Sequence, residues 1–91
     1  MDAVRPLEPE LKRLGLAKLY LFGSVARAEP DPRDVDLLYE VEETRRPGFF
    51  DLAHAMERLE DVLGTSVDLV ERAFLYERIR PRIEAEMIEI Y

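Results

Sequence analysis

The chain has 91 residues, a formal net charge of −7, 36% charged residues and no cysteine. A chain this short buries only a thin core, has no thiol for a disulfide or a thiolate zinc site, and is acidic enough to argue against general adhesion to nucleic-acid backbone, which needs a basic face. No apolar run reaches membrane-spanning length and the opening "MDAVRPL" reads as no signal peptide, so the expectation is one cytoplasmic domain, residues 1–91, without membrane contact.

In chain order, a short helix is predicted from about Glu8 to Leu14, with Pro6 near its start and Gly15 just past its end. "AKLYLF" gives a strand at 18–22, and Gly23-Ser24 closes it and opens a brief helical turn, "SVARA". The proline-rich "EPDPR" is loop, and "DVDLLYEV" gives a second strand at 35–41, burying Val35, Leu37 and Leu38. After the polar connection "EETRRPG", the segment "FFDLAHAMERLEDVLG" repeats Leu52, Ala55, Met56, Leu59, Val62 and Leu63 at helical spacing, with Gly64 as its stop. "SVDLVE" is a third strand; "LYERIRPRIEAEM" reads as a helix bent or restarted at Pro81, and "MIEIY" as a short edge strand. The alternation predicts an α/β (α+β) domain on one small sheet, in the order α-β-α-β-α-β-α.

The chemistry concentrates in "YLFGSVARAEPDPRDVDLLYE", residues 20–40. Side chains two apart on a strand share a face, so Asp34 and Asp36 are expected to point the same way, with α-carbons roughly 6–7 Å apart. Carboxylates that close repel and raise each other's pKa; a divalent cation between them removes both problems. Mg²⁺ takes oxygen ligands, typically one or two protein carboxylates plus substrate phosphates. The pair therefore suits a site that holds Mg²⁺ together with a nucleotide. Asp68, inside the apolar run "VDLV", could face the same cleft from a neighbouring strand. Three carboxylates can hold two ions roughly 3.5–4 Å apart, and Asp68 would then lie nearest the attacking group, as metal ligand or general base. Gly23 lacks a Cβ, so phosphate can approach the backbone there. Ser24 offers a hydroxyl and a backbone N–H at a helix start, and Arg27, about one turn on, a charge-assisted donor for a triphosphate oxygen.

"GSVARAEPDPRDVDL" followed by "VDLV" resembles the minimal nucleotidyltransferase (MNT) family of the DNA polymerase beta superfamily. That family's pattern is an apolar strand, Gly-Ser, Asp-x-Asp in a strand and a third Asp on a later strand. The resemblance covers nearly the whole chain, because the predicted elements come in the family's order. It implies a nucleotidyltransferase fold, with a small mixed sheet flanked by helices, Ser24 on the phosphates, and Asp34, Asp36 and Asp68 on two Mg²⁺ ions. It also implies a role. Such stand-alone domains commonly occur with a separate helical HEPN protein, as antitoxin and toxin, and characterised members transfer AMP from ATP to a tyrosine of that partner; a homo- or hetero-oligomer is compatible with this. Two departures stand out: Ala26-Arg27-Ala28 where members often read Ala-Arg-Gly, and a gap before the first aspartate that is often one residue longer in the family.

Taken singly, each feature has a plainer reading. Asp-x-Asp after a proline is often a solvated turn, Gly23-Ser24 a strand-to-helix turn with Ser24 as N-cap, and Arg27 a surface residue. His54 falls on the polar side of the long helix, and Arg78, Arg80 and Arg82 form a solvated face. Asp36 and Asp68 carry the case, because unpaired charge inside an apolar strand is costly. P-loop and dinucleotide fingerprints are absent from the sequence. The rival reading is a binding module, a catalytically weak or inactive domain of the same fold that neutralises its partner by occupying its surface. That form of blocking would survive loss of Asp36 and Asp68.

Overall fold

Leu37 and Leu38 are adjacent and both fully buried. Neighbouring residues of a strand point to opposite faces, so a strand carrying them must be covered on both sides. The computed structural model describes residues 2–28 and 34–91, and it places this strand in the interior of a four-stranded sheet. A 3₁₀ turn (Arg5–Leu7) leads into α1 (Glu8–Arg13), followed by β1 (Lys18–Phe22), α2 (Gly23–Ala26) and β2 (Val35–Glu40). A second 3₁₀ turn (Glu43–Arg45), α3 (Phe49–Leu63), β3 (Val67–Glu71), a third 3₁₀ turn (Arg72–Phe74), α4 (Arg80–Glu86) and β4 (Ile88–Glu89) complete the chain. The predicted "EPDPR" loop lies outside the described residues.

The sheet order is β3-β2-β1-β4. β1 pairs antiparallel with β2 and β4, whereas β2 and β3 run parallel, so the sheet is mixed, as the resemblance implies. On one face Leu19, Leu21, Val35, Leu37 and Tyr39 meet Leu11 and Leu16 of the N-terminal segment and Ala55 and Leu59 of α3. On the other, Tyr20 and Leu38 meet Leu75 and Ile83, with Phe22, Val70 and Met87 at the margin. The helical spacing read in α3 is realised: Ala55 and Leu59 are buried, and Leu52, Met56, Val62 and Leu63 are half-buried beside them. The Asp51 carboxylate accepts the Gly48 N–H (2.9 Å) at its start, and Gly64 stops it in a left-handed conformation, φ 69°.

One prediction needs correcting. The segment expected to be helical over residues 75–87 is helical only from Arg80 to Glu86. Pro81 stands in the first turn, where its missing N–H costs nothing, so it begins the helix rather than bending a longer one. Tyr76 and Ile79 form a turn before it, closed by Ile79 N–H to Tyr76 O (3.1 Å). β2 also ends one residue early, at Glu40, because Val41 falls outside the β1 register that closes at Lys18 and Glu40.

The α4 face carries a polar cluster at the end of the sheet remote from Gly23. There the Tyr20 hydroxyl donates to Glu40, while Arg72 reaches Glu40 at 3.3 Å and Glu84 at 2.7 Å. Buried Glu71 is answered by Arg46, whose Nη2 lies 2.9 and 3.1 Å from its two carboxylate oxygens. These groups pin the 3₁₀ turns and α4 to the sheet; paired in this way, their burial is tolerated. No helix among the described residues is long and apolar enough to cross a membrane.

Candidate active site

The strand register assembles the site. Asp36 pairs with Phe22 across the antiparallel ladder and with Asp68 across the parallel one. In-register residues on adjacent strands project to the same face, about 4.8 Å apart at the backbone, so Asp36 and Asp68 stand side by side. They share the face of Leu38 and Val70, the side covered by α4. The end of β1 and the starts of β2 and β3 thus meet at one rim, next to Gly23.

Gly23 is required here for a reason that composition did not reveal. Its φ is +77°, and a Cβ at this position would overlap Oδ2 of Asp36 and stand 3.0 Å from its Cγ. Beside the phosphate approach that the sequence suggests, the missing Cβ leaves room for the Asp36 carboxyl group. Its backbone opens α2, with Ser24 half-buried as the next residue. Arg27 closes the turn, its N–H donating to Gly23 O at 3.1 Å. The Arg27 guanidinium reaches across to α4, where Nη1 donates to Oε1 of Glu86 at 2.9 Å.

Of the three aspartates, Asp36 is half-buried, whereas Asp34 and Asp68 are exposed. Asp34 lies just before β2 rather than within it. Asp68 stands within the apolar strand, as the sequence predicts, but β3 is an outer strand of the sheet, and this leaves its carboxylate open to solvent. Burial pushes the Asp36 carboxyl pKa upward, and the Asp68 carboxylate adds to this by its charge and as a hydrogen-bond partner. The Asp34 charge acts in the same sense, and Arg27 opposes them. The group is thus a like-charged pair with a third carboxylate beside it, an arrangement whose electrostatic cost a divalent cation would relieve. The donor set is all oxygen, which suits Mg²⁺. Among the described residues no three acidic, imidazole or thiol groups are gathered closely enough to hold an ion by themselves. His54, on the outer side of α3, lies 3.5 Å from Glu10 and away from the site.

The sequence pattern of the nucleotidyltransferase domain family matches residues 4–90. The chain belongs to that family. Protein adenylyltransferase MntA of Thermococcus cleftensis is 32% identical over 80 residues, which cover 87% of this chain and 79% of the relative. A solved structure provisionally assigned as a minimal nucleotidyltransferase is 36% identical, with a TM-score of 0.76 over 96% of this chain and 89% of the other. The fold is also that of an MNT antitoxin solved with its tri-AMPylated HEPN toxin from Shewanella oneidensis, at 18% identity and a TM-score of 0.61, covering 100% of this chain and 72% of that one.

Within this family the alanine at position 28 is informative. Its φ is +55°, the left-handed region that a glycine enters without penalty. The alanine holds this backbone shape and carries the strain. Ala28→Gly relieves about 1–2 kcal/mol of strain against about 0.4–1 kcal/mol of added unfolded-chain entropy. Its thermal midpoint is expected to rise by up to about 8 °C; a fall in a thermal scan would show that the alanine methyl makes a compensating contact.

Proposed function

We propose that this nucleotidyltransferase is a single minimal domain that moves AMP from ATP to a hydroxyl of a HEPN-type protein partner, acting in the cytoplasm as an antitoxin. The observation that supports it best is the register of Asp36 with Asp68 beneath Gly23, within a chain of this family. Gly23, Ser24 and Arg27 bind and orient the triphosphate. Two Mg²⁺ ions, held by Asp34, Asp36, Asp68 and phosphate oxygens, would supply neutralisation of the charge on the attacking and leaving oxygens.

In this reading the acceptor oxygen attacks the α-phosphorus as the bond to the β-phosphate oxygen breaks, and pyrophosphate leaves. The hydroxyl proton passes to Asp68, whose exposure on the outer strand lets a bulky protein acceptor reach it. Asp36, partly withdrawn from water, is the fixed member of the pair.

The test is intact-mass spectrometry of the HEPN-type protein co-expressed with wild type and with Asp36→Asn. A gain of one or more AMP units with wild type alone supports transfer. If the partner is silenced equally by both and gains no mass, the domain neutralises by binding and the catalytic reading fails.

A further inference from the structure

From the geometry we infer that Glu86 is a positioning residue for the nucleotide: it holds the Arg27 guanidinium over the aspartate rim, in the orientation that meets the triphosphate. The inference rests on the nucleotide-binding reading above and extends it to an element that no sequence motif marks. Glu86 is the last residue of α4 and lies 59 positions beyond Arg27, yet their side chains meet at 2.9 Å, 37% and 20% exposed respectively. A guanidinium is a planar fork of five N–H donors. Fixing one of them on a carboxylate sets the plane in which the others point, and reduces the rotamer freedom lost when a phosphate binds.

The surroundings favour this role over a purely structural one. α4 covers the face on which Asp36 and Asp68 stand, and the strand that follows it, β4, pairs with β1 next to Gly23. Glu86 is therefore anchored on both sides, by a helix and by the sheet that carries the site. The contrasting ion pairs of α4 serve the fold: Glu84 holds Arg72 at the remote end of the same face. Arg27 ends α2, which opens at Gly23 beside Asp36, so its bridge to Glu86 joins α4 to the turn at the aspartate rim.

The experiment measures affinity for the Mg²⁺ complex of a β,γ-non-hydrolysable ATP analogue by calorimetry, in the full chain. Glu86→Ala should raise Kd about fivefold, the size of effect a partly exposed ion pair supports. Glu86→Gln, which keeps an acceptor for Arg27, should stay within about twofold of wild type. Glu86→Ala should add nothing further in an Arg27→Ala background, as a double-mutant cycle requires when one residue acts through the other. Unchanged or tighter binding by Glu86→Ala would overturn the proposal and make the bridge a restraint that the nucleotide must break. An equal loss in the Arg27→Ala background would also overturn it, since the effect would then be structural. Failure of wild type itself to bind the analogue would refute the nucleotide-binding reading, and this inference with it.

Discussion

Replacing Asp36 by asparagine is expected to abolish AMP transfer, by about a thousandfold or more, while raising the thermal midpoint of the metal-free protein. The two effects have one origin. The catalytic loss follows from removing a carboxylate that is asked for about 4 kcal/mol of transition-state stabilisation through its ion. The gain in stability follows from the raised pKa of Asp36, caused by burial first and by Asp68 and Asp34 next. A carboxyl whose folded pKa exceeds its unfolded value, about 3.9, binds more protons when folded. Its contribution is full below the unfolded value and is lost as pH rises through the folded one, so at neutral pH the ionised group weakens the fold. Asparagine carries no charge and escapes this. Thermal scans in chelator at pH 4 and pH 7 test the sign: the midpoint gain of Asp36→Asn over wild type should be larger at pH 7. Added Mg²⁺ with the ATP analogue should raise the wild-type midpoint and leave the mutant nearly unmoved. A mutant less stable than wild type at pH 7 would contradict the electrostatic account.

Gly23→Ala should damage both fold and activity. At φ +77° an alanine is strained by about 1–2 kcal/mol, against about 0.4–1 kcal/mol gained from a stiffer unfolded chain, so the backbone alone lowers the midpoint by up to about 8 °C for a chain of this size. The added Cβ also meets Oδ2, Cγ and Cβ of Asp36, so the carboxylate must leave its place beside Asp68. Misplacement on the ångström scale costs about a hundredfold in rate. The two components separate in a cycle. In an Asp36→Ala background the overlaps with Oδ2 and Cγ are gone, while backbone strain and the 3.1 Å approach to the residue-36 Cβ remain, so the same substitution should destabilise less. Equal destabilisation in both backgrounds would show that Asp36 can move aside without cost.

How much of this was legible in the sequence depends on how local each cause is. β1 is bounded by Gly15 and Gly23, and its predicted limits, 18–22, coincide with those observed. α3 could be read because its apolar residues repeat with the helix and Gly64 ends it. In the segment before Pro81, which reads as helix in the sequence, Tyr76 and Ile79 remain exposed, so their burial does not draw those residues into a helix. For the site, the order Gly-Ser, Asp-x-Asp, Asp was visible, as was a shared cleft for Asp36 and Asp68. Three things were hidden. The overlap of Gly23 with Asp36 arises only from the β1–β2 register, the exposure of Asp68 from the outer position of β3, and the Arg27–Glu86 bridge from the packing of α4. Each depends on residues far apart in the chain, and no local pattern encodes such distances.

The two-sided burial of β2 also bears on how such a site can change through evolution. Asp36, Leu38 and Glu40 line one face, and Val35, Leu37 and Tyr39 the other. Inserting or deleting one residue within this strand would exchange the two sets, driving the Asp36 position into the leucine-rich layer under α3 and detaching it from both Gly23 and Asp68. A central strand with one wet face could absorb that error by exposing a few apolar groups; this one has no such outlet. Lineages of this domain should therefore accumulate point changes within residues 35–40 while length variation is confined to the connections between strands.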